Sequence, residues 1–324
     1  MSFTCWAFID FIWLFLALAF AFSLCILKLS RANVNYSNSK ILCIFEDLIR
    51  YGKTKNDLRR GAFLRLFDVP KRWFFHFYIV SVIWNSFLIR HHINAVFFGV
   101  PYPIWLSDLS NALTNFCVQH ENGKYNNNIR CCDQLSVLLI HLLLWVHSIR
   151  RLYECLFISV FSDGVIHIVQ YCFGLAYYIL LGLTVISTSS ISQAGGSTEN
   201  RYAQIHFSHF LGITMFIWAS VHQNRCLTIL ANLRKENNGK VINMHHSIPV
   251  GDWFSLISSP HYFAELLIYI SLSLTLGGWN LTWWLVVLYV LFNQALAAAL
   301  CQEFYHKKFD SYPKCRCAFI PYLL

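Results

Sequence analysis

His147, Arg150, Arg151 and Glu154 stand at i, i+3, i+4 and i+7 within LLLWVHSIRRLYECLFISVFS (142–162). On a helix they form one continuous stripe. Paired guanidinium groups with His and Tyr nearby suit an anionic ligand, because guanidinium holds phosphate through two parallel hydrogen bonds. Snorkelling at a membrane surface would account for two arginines, but it does not require His and Glu in register with them. A second stretch, PVGDWFSLISSPHYFAE (249–265), sets polar groups and turn-formers against the start of an apolar run. Pro249, Gly251 and Asp252 have turn chemistry, Ser258, Ser259 and Pro260 read as a helix start, and His261 and Glu265 follow at i and i+4. A glutamate in the entry of an apolar helix is expensive. It marks either a site or an interfacial loop with a snorkelling side chain.

Other apolar runs carry polar groups too. Trp218, His222 and Arg225 repeat the stripe spacing, and Gln294, Cys301, Gln302 and Tyr305 lie near one face of the last run. His76 and Tyr78 open the second run, and Asp163, His167 and Gln170 open the fourth. No GxGxxG loop follows a strand and no Walker loop is present, so a nucleotide would have to be held by side chains between helices. The twelve cysteines are scattered; Cys131-Cys132 and Cys315-x-Cys317 are the only close pairs. No set of about four ligands has the spacing of a zinc site, and no metal is expected.

These side chains must be positioned by membrane helices. The 324 residues are 56% hydrophobic and 13% charged, with 28 Phe, 16 Tyr and 11 Trp. That composition reads as an all-α polytopic membrane protein, one integral membrane domain over 1–324. Long apolar runs rather than ~10-residue alternations exclude a β-barrel. The runs are 5–29, 73–89, 134–161, 165–189, 206–231, 263–277 and 281–304. A span needs ~20 residues, so 263–277 should borrow its first turn from 259–262. The first run is too long for a signal-peptide core and lacks a basic leader and a cleavage site, so it is read as a span. Seven transmembrane helices are therefore expected, with a polar loop 30–72, a helical core 73–304 and a tail 305–324.

Charge sets the orientation. The formal charge is +9, and only Arg90, Lys124, Arg130 and Arg201 of the 25 basic residues fall on one side of such a bundle. The positive-inside rule then puts the loop 30–72 and the C-terminus in the cytosol and the N-terminus opposite, and explains the charge without nucleic acid. Asn35-Tyr36-Ser37 matches a glycosylation acceptor on the wrong side, and Asn280-Leu281-Thr282 sits too close to the membrane. Under this topology six helices direct polar side chains to one side of the bilayer. They describe a cavity open to the cytosol, with an apolar remainder suited to a lipid-like substrate. A seven-helix receptor would place its pocket on the other side, and a transporter would show inverted repeats. A non-catalytic membrane binding protein or scaffold is a further reading.

IFEDLIRYGKTK (44–55), FDVPKRWFFHFY (67–78), LLLWVHSIRRLYECLFISVFS (142–162), QYCFGLAYYILLGLTV (170–185), GDWFSLISSPHYFAE (251–265), NLTWWLVV (280–287) and FYHKKFDSYPKCRCAFIPYLL (304–324) occur in order. Over about 41–324 the chain resembles the steroid 5-alpha-reductase family, most closely its polyprenol (polyprenal) reductase branch. The resemblance implies a seven-helix endoplasmic reticulum enzyme that binds NADPH from the cytosolic side. It implies reduction of the α-isoprene double bond of a polyisoprenoid on the route from polyprenol to dolichol, the lipid carrier of N-glycosylation. A 3-oxo-5-alpha-steroid 4-dehydrogenase activity is the alternative within the family.

Carried over residue by residue, the resemblance makes Arg150, Arg151, Glu154, Asp252, Glu265 and Tyr305 cofactor-binding. His222, Arg225 and His261 join them from the polar faces above. His261 stands where relatives usually have Asn, Ser247 where an Arg often precedes Ile-Pro, and Cys301-Gln302 where one or two His are common. The Glu and Tyr that steroid-reducing members place near the carbonyl correspond here to Phe77 and Ser148. His76, Tyr78 and His147 are the replacement candidates for catalysis. Hydride can attack an alkene carbon only where the developing charge is delocalised, so a conjugated aldehyde is the expected substrate form.

Overall fold

Each of the seven apolar runs coincides with a helix. The computed structural model describes residues 6–32, 40–56, 60–114, 134–188, 204–236, 240–241 and 246–322. Asn35–Ser37, Cys131-Cys132, Lys124, Arg130 and Arg201 lie outside the described residues. The helices in chain order are α1 (Phe8–Ala32), α2 (Lys40–Ile49), α3 (Lys53–Asn56), α4 (Ala62–Arg65), α5 (Phe74–Phe98), α6 (Ile104–Thr114), α7 (Gln134–Tyr153), α8 (Ile168–Thr188), α9 (Phe207–Asn232), α10 (Pro260–Thr275) and α11 (Leu281–Lys308). By length and composition α1, α7 with the turn that follows it, α8 and α11 can cross a membrane. α5 and α9 have 25 and 26 residues, and α10 has 16.

Local chemistry sets the ends of the last two helices. α10 starts with Pro260 in its first turn, as the Ser-Ser-Pro sequence predicts. Gly277 and Gly278, at φ +86° and +80°, turn the chain out of α10. Asn280 then caps α11 by accepting from the Trp283 amide at 3.1 Å. α9 and α10 approach closely because Gly212 has no side chain: a Cβ there would lie 2.8 Å from the Ser271 carbonyl oxygen.

The main core lies between α1, α8, α10 and α11 around Trp13, Trp283, Tyr269 and Tyr289, all buried. Polar ties pin α1 to α11 at both ends. Near the N-terminus the buried Asp10 carboxylate accepts from Thr282 Oγ1 at 2.5 Å and from the Ala7 amide at 2.8 Å. At the other end Glu303 receives Arg31 at 2.6 Å and Arg50 at 3.0 Å.

The segment expected as a plain polar loop is built, and it departs from an all-α reading. Strand β1 (Asp68–Pro70) pairs antiparallel with β2 (Val165–His167), with Asp68 opposite His167. Behind them Lys55, fully buried, bridges Asp47 at 3.0 Å and Asp68 at 3.1 Å, and Arg60 reaches the same two carboxylates. Two carboxylates against two cations make a neutral cluster, which is how buried charge is tolerated. The result is a rigid floor under one end of the helix bundle.

Candidate functional site

A cavity of about 640 Å³ opens between α7, α8, α9, α10 and α11 and the floor carrying Tyr51, Lys53 and Lys71. Ligand pockets span roughly 300–1,000 Å³, so its size is that of a binding site. Phe20, Phe173, Leu296 and Leu300 make one flank apolar.

The α7 stripe forms one wall. Glu154 is fully buried where α7 passes into a single π turn, Glu154–Ile158. π turns recur at functional sites. Glu154 accepts from Arg150 Nη1 at 2.6 Å, Arg151 Nη1 at 2.5 Å and Asn224 Nδ2 at 2.9 Å. Arg151 also donates to the Tyr78 hydroxyl at 3.1 Å, and Tyr78 belongs to the cavity lining.

Donor and acceptor roles in the next layer follow from Arg150. Its Nη2 contacts His147 Nδ1 at 3.1 Å and Gln223 Oε1 at 2.5 Å. A guanidinium only donates, so His147 Nδ1 accepts and its ring proton sits on Nε2. That Nε2 faces Glu265 Oε1 at 3.3 Å. Gln223, with its oxygen used, turns its amide nitrogen to Glu265 Oε2 and to the His261 carbonyl at 3.2 Å. Glu265 thus accepts from Gln223 on Oε2 and has the His147 Nε2–H close to Oε1, without a well-aligned hydrogen bond between them, an arrangement that suits a carboxylate.

Another part of the cavity lining is cationic. Lys53 Nζ sits 3.9 Å above the Tyr305 ring, which stacks on Tyr312 at 5.2 Å and 4°. Arg234 reaches the Val160 carbonyl at 2.5 Å and His246 Nδ1 at 3.0 Å. Lys71 Nζ stands 5.3 Å from the Tyr51 ring centre. Among the described residues, neither Lys53 nor Lys71 has a carboxylate partner. Burial pulls Lys71 down to about 8, with Lys53 and Arg234 adding to it, and pulls His246 down to about 3. Gly52 makes room for this arrangement: at φ +55° it suits glycine, and a Cβ would lie 2.8 Å from Lys71 Cδ. The Gly52 amide bonds Val165 O at 2.7 Å and the Lys71 amide bonds Gly164 O at 2.8 Å, so β2 and the residue before it set both.

The predicted residues divide into three groups. Tyr78, Arg151, His261, Glu265 and Tyr305 line the cavity. His147, Arg150 and Glu154 stand one layer behind and hold that wall by the bonds above. His76, His222, Arg225 and Asp252 are absent from the lining. His76 bonds the Tyr171 hydroxyl at 2.9 Å. His222 pairs with Asp252 at 3.0 Å and stacks on Trp253 at 4.3 Å, and Arg225 is exposed. Phe77 packs against Gly174 and Ser148 bonds Ser81 at 2.7 Å; neither lines the cavity. Of the departures, Ser247 and Cys301 line it, whereas Gln302 Nε2 donates to the Arg316 carbonyl at 2.7 Å. Among the described residues no three His, Cys, Asp or Glu side chains gather as metal ligands.

Sequence reading missed Tyr51, Lys53, Lys71, Gln223, Arg234 and His246. The basic residues were spent on the orientation count, where a lysine that turns into a cavity looks like any other. Gln223 lies one residue past His222 and carries no charge to draw notice.

Comparison with known proteins places the chain. The profile of 3-oxo-5-alpha-steroid 4-dehydrogenase matches residues 165–324. A polyprenal reductase of Xenopus tropicalis is 54% identical over 288 residues, 89% of this chain and 91% of that protein. The Homo sapiens polyprenal reductase is 51% identical over 86% of each chain, and that of Danio rerio 46% identical over 98% of each.

Proposed function

The chain belongs to the polyprenal reductases of the steroid 5-alpha-reductase family, and we propose that it saturates the α-isoprene double bond of polyprenal with NADPH, on the route to dolichol. It is an oxidoreductase acting on a CH–CH bond. The carrying observation is the cavity itself: among the described residues, it is lined by two half-buried lysines without carboxylate partners and by the Tyr78–Arg151–Glu265 wall.

Buried polar atoms without partners support a bound nicotinamide cofactor. Among the described residues, Arg151 Nε, His261 Nδ1 and Gln170 Oε1 are buried, have no hydrogen-bond partner, and belong to cavity-lining residues. Such atoms need a ligand or water. Lys53, Arg234 and Arg151 would hold the phosphates, and Glu265 and His261 would orient the amide-bearing ring. NADPH, when bound, supplies the hydride. Tyr78, polarised by the Arg151 guanidinium, is the proton donor to the α carbon. Glu154 keeps both arginines charged and in place.

Topology completes the proposal. α5, α9 and α10 cross with the four longer apolar helices, giving seven spans in the endoplasmic reticulum membrane. The cavity then opens to the cytosol beside the basic floor. The polyisoprenoid tail lies along the apolar flank and the bilayer. The test is purified protein with NADPH on polyprenal, polyprenol and a 3-oxo-4-ene steroid side by side. Polyprenal alone should be reduced at an appreciable rate. Equal rates on the alcohol, or a faster steroid, would overturn the assignment.

A further inference from the structure

We propose that Lys71 condenses with the substrate aldehyde, so that the conjugated bond is reduced as an unsaturated iminium held on the protein. This rests on the polyprenal reading above. Lys71 opens the short 3-10 turn Lys71–Trp73 between β1 and α5. Its amide is fixed to Gly164 O and its side chain crosses Gly52, so the amine is delivered to the cavity by backbone on two sides. The amine lies over the Tyr51 and Phe74 rings, at 5.3 and 5.8 Å. Among the described residues it has no hydrogen-bond acceptor and no carboxylate. Lys55, on the same floor, is the contrast: it is fully buried and held by Asp47 and Asp68. The fold supplies acids to one lysine and withholds them from the other.

The surroundings raise the share of free amine. Lys53 from α3 and Arg234 beyond α9 are the charged groups that face it, with the thiols of Cys155 and Cys301 and the Tyr51 phenol. Burial and those two cations hold its ammonium form down, to about 8. A desolvated lysine beside other cations is the arrangement that makes an amine nucleophilic near neutral pH. The reaction also needs an activator for the carbonyl. Phe77 and Ser148, the positions that the resemblance matches to the Glu and Tyr of steroid-reducing members, do not line the cavity.

The step balances. The amine lone pair attacks the aldehyde carbon, the C–N bond forms, and the carbonyl oxygen takes two protons and leaves as water. The resulting C=N⁺ draws electrons from the conjugated double bond more strongly than the aldehyde does. The β carbon accepts the hydride that a reduced nicotinamide supplies, giving a neutral enamine. The α carbon then takes a proton from a cavity phenol. Water adds to the saturated iminium, the C–N bond breaks, and the saturated aldehyde and free amine are released. Water lost equals water regained, and the net change is one hydride and one proton. An allylic alcohol cannot enter this sequence.

The experiment traps the adduct. Full-length purified protein is incubated with a three-isoprene polyprenal and sodium cyanoborohydride without nicotinamide, then analysed by peptide mass spectrometry. The expected result is one reduced-imine mass on the peptide containing Lys71, increasing as pH rises through about 8. Lys71→Arg keeps the charge but cannot condense. It should lose the adduct and lower kcat by about 100-fold or more, with KM for the nicotinamide changed less than about threefold. Absence of the Lys71 adduct on protein that turns over polyprenal would overturn the proposal. So would Lys71→Arg at near wild-type kcat, or a change confined to nicotinamide KM, which would make Lys71 a phosphate contact. Trapping on the wild-type protein needs no variant to fold. If polyprenal is not reduced at all, the substrate reading fails instead.

Discussion

Replacing Glu265 by Gln tests the donor–acceptor order of the cavity wall. Glu265 faces two donors, His147 Nε2–H at 3.3 Å and the Gln223 amide nitrogen. A glutamine at 265 can accept on one side only, so its NH2 must oppose an N–H on the other. The loss is one charge-assisted bond, about 1.5–3 kcal/mol, and one buried donor left facing a donor, about 1–3 kcal/mol. These terms overlap as the side chains relax, so the expected destabilisation is roughly 2–4 kcal/mol, a factor of about 30 to 900 in the folded-to-unfolded ratio.

The structure also specifies a repair. Gln223→Glu combined with Glu265→Gln moves the carboxylate one position across the wall. The carboxylate introduced on α9 would then accept from Arg150 and from the new amide on α10, while that amide's oxygen accepts from His147. Only the bond from Gln223 to the His261 carbonyl, 3.2 Å, is lost, at about 1 kcal/mol. The double variant should recover at least half of the single variant's loss, a coupling of about 1–3 kcal/mol. The assay is unfolding in mixed SDS–detergent micelles followed by tryptophan fluorescence, with KM for NADPH measured alongside. A Glu265→Gln protein as stable as wild type, or a double variant no better than the sum of the singles, would refute the network order.

Arg151→Ala removes the guanidinium shared by Glu154 and Tyr78, and should raise KM for NADPH about 10- to 150-fold; unchanged cofactor affinity would remove Arg151 from the site. Lys53→Ala should raise KM for NADPH far more than KM for NADH if the lysine holds the 2′-phosphate, the group NADH lacks; equal effects in steady-state assays with both cofactors would place it on the shared pyrophosphate instead. Lys71 titrates near 8 in the folded protein, below its ordinary 10.5, so the unfolded chain binds more protons between those values and stability rises with pH across that window. Lys71→Met should therefore be stabilising below about pH 8, with the gain shrinking as pH climbs toward 10.5. Unfolding measured at pH 7 and 9.5 checks the sign.

Hydropathy made the helices legible because membrane burial acts on long stretches at once. The run 263–277 was short by several residues, and the structure extends it back to Pro260, where Ser-Ser-Pro marks a start. Helical spacing made the His147–Glu154 stripe legible too. It could not say which member faces the cavity. Arg150 and Arg151 are adjacent on the helix, and tertiary packing sends Arg150 to Gln223 and His147 while Arg151 reaches Tyr78. His222 and Asp252 did meet, yet they pair with each other beside Trp253 and leave the cavity to others. The floor was not legible. β1 and β2 are three residues each and almost 100 positions apart, joined only through long-range pairing. No local pattern in IFEDLIRYGKTK shows that Lys55 turns to Asp47 and Asp68 while Lys53 turns to Tyr305.

That division of the lysines explains why the cavity is built this way. Both carboxylates in its wall are committed: Glu154 to two arginines and an asparagine, Glu265 to His147 and Gln223. The floor's Asp47 and Asp68 are committed to Lys55 and Arg60. Lys53 and Lys71 are left to rings and cavity space, and at Lys71 this costs stability because a desolvated cation without an acid is poorly solvated. The fold accepts that cost in one part of the cavity and avoids it everywhere around it. The proposed anionic cofactor would supply the missing counter-charge at Lys53. The proposed condensation at Lys71 draws instead on the free-amine form that the missing acid favours. One cavity thus holds two lysines with different ligands in view, and the acids behind the floor keep a third from competing with either.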